Sequence, residues 1–69
     1  MDIKKMQAFV TLCEVGNFSK AAEKLYLAQS SLSAQIKSLE DELHCRLLIR
    51  NARSLELTGT GTIFLNFCR

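Results

Sequence analysis

The feature that most constrains this 69-residue chain is the spacing of apolar residues between positions 29 and 43, in QSSLSAQIKSLEDEL. The apolar residues are Leu32, Ile36, Leu39 and Leu43. This spacing places them on one face of an α-helix, whereas a strand would divide them between two faces. The front of the predicted helix is polar near its N-terminal end and carries Gln29, Ser30, Ser33 and Lys37. Such a front suits either solvent or a DNA major groove, so the flanking sequence has to decide.

Two further helices are predicted before this one. Asp2 is a suitable N-cap for a first helix, and Gly16 is placed to end it in the left-handed conformation. We interpret Asn17 and Phe18 as a connection and Ser19 as the N-cap of a short second helix that runs to about Leu25. Because only Tyr26, Leu27 and Ala28 then precede the central helix, the two helices must cross at a large angle, as in a helix-turn-helix. Ala28 is a poor N-cap, and His44 stands where a left-handed C-terminal residue is expected.

The remaining sequence predicts a small hairpin and the beginning of a fourth helix. Leu55 and Leu57 alternate with Glu56 as in a strand, and residues 51–54 fit a connecting turn. Thr58 is a suitable cap for the last segment, which is strongly apolar but weakened by two glycines. The predicted fold is therefore mostly α-helical: a winged helix-turn-helix of three helices, a two-stranded β wing and the start of a fourth helix.

Composition excludes several classes of function. The net charge of +2 is weak evidence for nucleic acid by itself, so the position of the charges matters more. Three cysteines without a CxxC pair indicate a reducing, cytoplasmic environment, and we expect neither a membrane span nor a secretory segment. With one histidine and no cluster of ligand residues, no metal site is expected. No catalytic constellation, cofactor motif or small-molecule site is expected either.

A family resemblance appears in the stretch from Phe18 to Leu43, which has the pattern F-x-x-A-A-x-x-L-x-x-x-Q-x-x-L-S-x-Q-I-x-x-L-E-x-x-L. It continues in the stretch 47–50, LLIR, and in Leu57-Thr58-x-x-Gly61. Together these closely resemble the DNA-binding domain of bacterial LysR-type transcriptional regulators. The resemblance begins at Asp2 and covers nearly the whole chain without a gap.

The resemblance implies sequence-specific binding to double-stranded DNA, with a recognition helix at about Gln29–Leu43 in the major groove. It also implies a wing at about Arg50–Thr58 on the DNA backbone or in the minor groove. The DNA-binding positions that it indicates are Ser19, Gln29, Ser30, Ser33, Ala34, Lys37, Arg50 and Arg53.

The chemistry of these side chains suits that role, although each has an ordinary alternative. The amide of Gln29 can pair with adenine through two hydrogen bonds, and Lys37 suits a phosphate; either could instead be a solvated surface residue. Ser19 could contact a phosphate or only cap its helix. One of the two wing arginines, Arg50 and Arg53, could instead pair with the acidic run 40–42.

The sequence also departs from the family pattern. Where the family commonly has proline, arginine, glycine and glycine, this chain has Ser30, Ala34, His44 and Ala52. Because position 34 is alanine, the arginine that the family pattern offers to the groove is missing, which predicts fewer contacts to bases.

The expected division is a winged helix-turn-helix domain at residues 1–58 and a truncated linker and dimerisation helix at 59–69. Contacts of a homodimer or higher oligomer are expected at Ile63, Phe64 and Phe67, and the family's effector domain is expected to be absent. The alternative function is a winged-helix module that binds another protein instead of DNA.

Overall fold

The computed structural model describes residues 2–50 and 55–69, with only the backbone at Arg50. The elements in chain order are α1 (Ile3–Val15), α2 (Phe18–Lys24), α3 (Gln29–Leu43), β1 (Leu48–Arg50), β2 (Leu55–Leu57) and α4 (Gly59–Cys68). The two strands pair antiparallel, with Leu48 opposite Leu57. This arrangement confirms the predicted winged helix-turn-helix. The predicted turn between the strands lies outside the described residues.

Helix α1 has the two ends that the sequence predicts. The side chain of Asp2 accepts a hydrogen bond from the backbone N–H of Lys5 at 2.9 Å, which satisfies a donor that no helical carbonyl can reach. Gly16 ends the helix in the left-handed region with φ of 89°, and its N–H donates to the carbonyl of Leu12. A side chain at position 16 would be strained in this conformation.

Helix α2 begins earlier than predicted, and the assignment of Ser19 as its N-cap is wrong. Asn17 is the cap, because its side-chain oxygen accepts from the N–H of Lys20 at 2.7 Å. Asparagine caps helices at least as well as serine does. Because α2 follows directly after Asn17, Phe18 is its first residue and does not lie in a connection. Its side chain is half-buried and packs against the core.

Helix α3 has the predicted bounds, Gln29–Leu43. As expected, Ala28 provides no side-chain cap, and His44 ends the helix in the left-handed conformation with φ of 54°. The N–H of Cys45 donates to the carbonyl of Glu40 at 3.2 Å, which satisfies an acceptor in the last turn. The start of α3 is therefore held by packing more than by local capping.

The core joins all four helices and the first strand. Its fully buried large side chains are Phe9, Leu12, Leu32, Leu39 and Leu47. Ala21 and Ala22 of α2 are also buried, and their small side chains allow α1 and α3 to approach α2 closely. Because Leu32, Ile36 and Leu39 are all buried, the apolar face predicted for α3 is confirmed and its polar front is left at the surface.

Phe64, predicted from the sequence as a dimer contact on the fourth helix, is buried within the chain. Its side chain is only 8% exposed, and its ring centroid lies 5.5 Å from that of Phe9 on α1. Ile63 and Phe67 are 73% and 70% exposed. The prediction of Phe64 as a surface contact is therefore corrected: docking of α4 on α1 uses this ring within the chain.

Lys5 joins α1 to α3 through two hydrogen bonds. Its ammonium donates to Glu42 Oε1 at 2.6 Å and to Ser38 Oγ at 2.8 Å. The hydrogen bond from Lys5 lowers the pKa of Glu42 to about 2, and it raises the pKa of Lys5. The ionised form of Glu42 is thus favoured by folding.

We expect Glu42→Gln to lower the stability of the chain modestly at neutral pH, with a difference that disappears in acid. A carboxyl whose pKa falls on folding stabilises above its unfolded pKa of about 4.3, and the effect is lost as pH falls towards the folded value. Thermal unfolding of both proteins between pH 7 and pH 2 measures this difference. Asp41→Asn, at an exposed carboxyl in the same acidic run, is the control. A difference that stayed constant over the whole pH range would contradict the assignment.

Candidate nucleic-acid interface

The polar front of α3 forms a continuous surface over its first three turns. Gln29, Ser30, Ala34 and Lys37 are exposed, and Ser33 is half-buried between them. These five residues define the α3 face. Since the apolar residues of the same helix are buried, another molecule can contact the α3 face without disturbing the core.

A hydrogen bond between two of the predicted DNA-binding residues orients the first side chain of the α3 face. Ser19 Oγ donates to Gln29 Oε1 at 3.0 Å and so joins the start of α2 to the start of α3. A carboxamide oxygen has two acceptor sites, so one acceptor and both N–H donors of Gln29 remain available. An acceptor beside a donor is what the major-groove edge of adenine requires of a partner. Ser19 therefore positions Gln29 and caps no helix.

Lys37 supplies positive charge at the far end of the α3 face. It is exposed and lies two turns after Gln29, and no described residue forms an ion pair with it. An exposed lysine at this position suits a phosphate better than a base edge, because an ammonium is a compact charge that needs no fixed plane of approach.

The acidic run at the end of α3 serves the fold, and the structure gives it partners that the sequence did not identify. Glu40 Oε2 accepts from the backbone N–H groups of Leu47 at 2.7 Å and Leu48 at 3.3 Å. Its ion partner is Arg46, with Nε 3.6 Å from the carboxylate. Arg53 and the side chain of Arg50, the other candidate partners, lie outside the described residues. Glu40 thus anchors the first strand of the wing to α3.

Thr58 and Gly61 anchor the other side of the wing. Thr58 Oγ1 accepts from the N–H of Gly61 at 2.8 Å, which caps α4, and donates to the carbonyl of Arg46 at 2.6 Å. Its backbone N–H donates to the carbonyl of Leu47 at 3.0 Å. The L-T-x-x-G motif therefore holds together the segment before β1, the end of β2 and the start of α4.

Two chemical features are absent from the described part of the chain. None of its helices has the length and apolarity needed to cross a bilayer. Within residues 2–50 and 55–69, no group of three or more histidine, cysteine or acidic side chains could hold a metal ion. All three cysteines are described and free, and burial raises the pKa of the Cys13 thiol to about 11. This thiol is therefore a weak nucleophile at neutral pH.

Comparison with known proteins decides the family. Residues 3–62 match the family model described as bacterial regulatory helix-turn-helix protein, lysR family. The chain belongs to the LysR family. It is 46% identical over all 69 residues to the HTH-type transcriptional regulator AlsR of Bacillus subtilis, and 38% identical to TfdT of Cupriavidus pinatubonensis. These matches cover 23% and 30% of the two regulators, so this LysR-family chain spans about a quarter of their length.

Solved structures of LysR-family DNA-binding domains have the same fold as this chain. The CbnR domain in a complex with DNA superposes with a TM-score of 0.95 at 35% identity, over 100% of this chain and 79% of that one. The BenM domain bound to catB site 1 DNA gives a TM-score of 0.94 at 40% identity, over 99% and 76% of the two chains. Both neighbours were solved on DNA, which bears on the role of the α3 face.

Proposed function

We propose that this chain binds double-stranded DNA in a sequence-specific manner as the DNA-binding part of a bacterial LysR-family transcriptional regulator. The observation that carries the proposal is the α3 face, where Ser19 holds the carboxamide of Gln29 at the start of an exposed helix. Superposition on two domains solved with DNA supports the same role. The alternative of a protein-binding module is not favoured.

In this proposal, α3 enters the major groove, where some of its residues contact bases and others contact phosphates. Gln29 and Ser33 contact base edges, and the neighbouring Ser30 and Ala34 also face base edges or nearby phosphates. Lys37 contacts a phosphate and fixes the position of the helix without distinguishing sequences. Since position 34 carries only a methyl group, this chain has fewer polar groups for base readout than the family pattern provides.

The wing extends the proposed contact beyond α3. Arg50 and Arg53 are assigned to the DNA backbone or the minor groove, where the negative potential favours arginine. Support for this part comes from the anchoring of both strands, since Glu40 and Thr58 hold the hairpin beside α3. Anchored in this way, the described strands of the hairpin are held next to the recognition helix.

We further propose that residues 1–58 form the DNA-binding unit and that residues 59–69 begin a linker helix through which two copies pair. Exposed Ile63 and Phe67 are the contacts assigned to the dimer, while Phe64 holds α4 on α1. A two-fold dimer would present two recognition helices to two half-sites. This role gives the chain no catalytic activity and places it in the cytoplasm with the chromosome.

Replacing Gln29 with alanine tests the proposal. We expect Gln29→Ala to weaken binding to a preferred duplex by about 1–3 kcal/mol and to relax selectivity at one base pair, because two hydrogen bonds to a base edge are lost. The preferred duplex is obtained by selecting the parent chain against a pool of randomised duplexes. Titration of parent and variant, at several salt concentrations, measures the difference.

The matched control for this experiment is Gln7→Ala, which removes the same side chain from an exposed position on α1. The control should bind as the parent does, and binding by the parent should weaken steeply as salt rises. Equal affinity of the Gln29 variant and the parent for the preferred duplex would contradict the assignment of this residue. Failure of the parent to enrich any duplex would contradict the proposed function itself.

A further inference from the structure

Tyr26, between α2 and α3, is an aromatic residue in an unusual position. It is 95% exposed, more than any other large apolar side chain that the structure describes. Its backbone also has a positive φ of 58°, which side-chain-bearing residues seldom adopt. Neither property helps the chain to fold, so a different explanation for the tyrosine is needed.

The backbone at Tyr26 completes the end of α2. Leu27 donates its N–H to the carbonyl of Ala22 at 2.9 Å, and Tyr26 donates to the carbonyl of Glu23 at 3.2 Å. These two hydrogen bonds are those of a Schellman motif. This helix ending requires a left-handed residue at the position of Tyr26, where glycine is strongly preferred. The turn would accordingly form more easily with glycine in place of Tyr26.

Tyr26 is close to the α3 face along the chain. It precedes Gln29 by three residues, and the intervening Ala28 is extended with φ of −68° and ψ of 148°. Three residues span at most about 10–11 Å, and the major groove of DNA is about 12 Å wide. When the first turn of α3 lies in the groove, a long side chain this near to it can reach the phosphates at the edge of that groove.

We propose that Tyr26 is a DNA-positioning residue whose phenol hydroxyl donates a hydrogen bond to a backbone phosphate beside the groove that α3 occupies. The inference rests on the proposed function. A phosphate contact carries no sequence information but sets the depth and register of the recognition helix. A tyrosine suits the task because its long, rigid side chain ends in a single donor, and here it projects into solvent instead of packing on the core.

Two substitutions test the inference. Tyr26→Phe removes only the hydroxyl, and we expect about three- to tenfold weaker binding on preferred and unrelated duplexes alike, with the base preference unchanged. Tyr26→Gly removes the side chain and the backbone strain, so we expect the same or greater loss of binding together with a Tm raised by about 4 °C. Titrations and thermal unfolding of the two variants and the parent provide both readouts.

The outcomes separate this inference from the proposed function. If the parent binds DNA selectively and both Tyr26 variants bind as tightly as the parent does, the proposed phosphate contact is wrong and the proposed function stands. A changed base preference in Tyr26→Phe would also overturn the inference, since it would indicate contact with a base. If the parent binds no duplex, both proposals fail. A stabilised glycine variant with impaired binding supports the inference and excludes misfolding as the cause.

Discussion

Replacing Gly61 with alanine is expected to destabilise the chain by about 3 kcal/mol, because there is no room for a Cβ atom at this position. The added atom would collide with the carbonyl oxygen of Leu47 and lie 3.0 Å from its carbonyl carbon and 3.2 Å from Leu57 Cδ2. The Leu47 carbonyl accepts from Thr58, so it is fixed backbone that cannot rotate aside as a side chain would. Relief would require α4 to move away from the hairpin.

Denaturant unfolding measures this effect, and Gly59→Ala is the matched control. Gly59 lies in the same helix, where an added Cβ would meet nothing within 4 Å. Alanine also favours helix over glycine by about 1 kcal/mol, so the control should be unchanged or slightly more stable than the parent. Since a domain of this length has little stability in reserve, we expect the Gly61 variant to be partly unfolded at 37 °C. Equal midpoints for the Gly61 variant and the parent would contradict the close approach.

The second large effect is expected at Glu40. Removing its carboxylate in Glu40→Ala leaves the N–H groups of Leu47 and Leu48 without their acceptor and removes the ion partner of Arg46. Leu47 and Leu48 are buried, so water cannot easily replace the lost acceptor. Hydrogen bonds to a charged group contribute about 1.5–3 kcal/mol, and we expect a total loss of about 2–4 kcal/mol.

Two controls separate the carboxylate's hydrogen bonds from its charge. Glu40→Gln retains one side-chain oxygen that can accept from Leu47 and Leu48 as Oε2 does, but it lacks the negative charge, so it should recover roughly half of the lost stability. Asp41→Ala removes the neighbouring, exposed carboxylate and should change little. If Asp41→Ala destabilised the chain as much as Glu40→Ala does, general loss of negative charge, rather than anchoring of β1, would be the cause.

Much of the fold follows from the sequence because its signals are local. The bounds of α3 follow from one apolar stripe, and the ends of α1 follow from an N-cap aspartate and a glycine. Thr58 as the cap of α4 and the alternation of Leu55 and Leu57 were also predicted correctly. Each of these features depends on residues within a few positions of one another, which is the range over which capping and periodicity act.

The errors arise where contacts between residues far apart in the sequence decide the structure. Asn17 and Ser19 are both good caps, and packing of Phe18 on the core favours the first. Phe64 looks like a surface residue until α1 provides Phe9 as its partner. Nothing in the acidic run alone indicates that Glu40 accepts from Leu47 and Leu48, seven and eight residues later. Such contacts depend on tertiary structure, so periodicity cannot reveal them.

The hydrogen bond between the side chains of Ser19 and Gln29 is a feature of the candidate site that the sequence does not predict. The resemblance identified both residues as DNA-binding positions, and the structure adds that they contact each other at 3.0 Å. It also shows that Ser19 does not cap α2 and that its hydroxyl orients the carboxamide of Gln29, while the phosphate contact of Ser19 stays a prediction. The individual base and phosphate contacts of the α3 face stay predictions.

DNA binding through α3 is tested most directly by mapping backbone amide shifts by NMR while an isotope-labelled chain is titrated with its preferred duplex at low salt. We expect the largest changes at the start of α2 and on the α3 face, at Ser19, Gln29, Ser30, Ser33 and Lys37. We also expect these changes to diminish as salt is added. Changes confined to exposed Ile63 and Phe67 on α4, or no changes at all, would contradict DNA binding through α3.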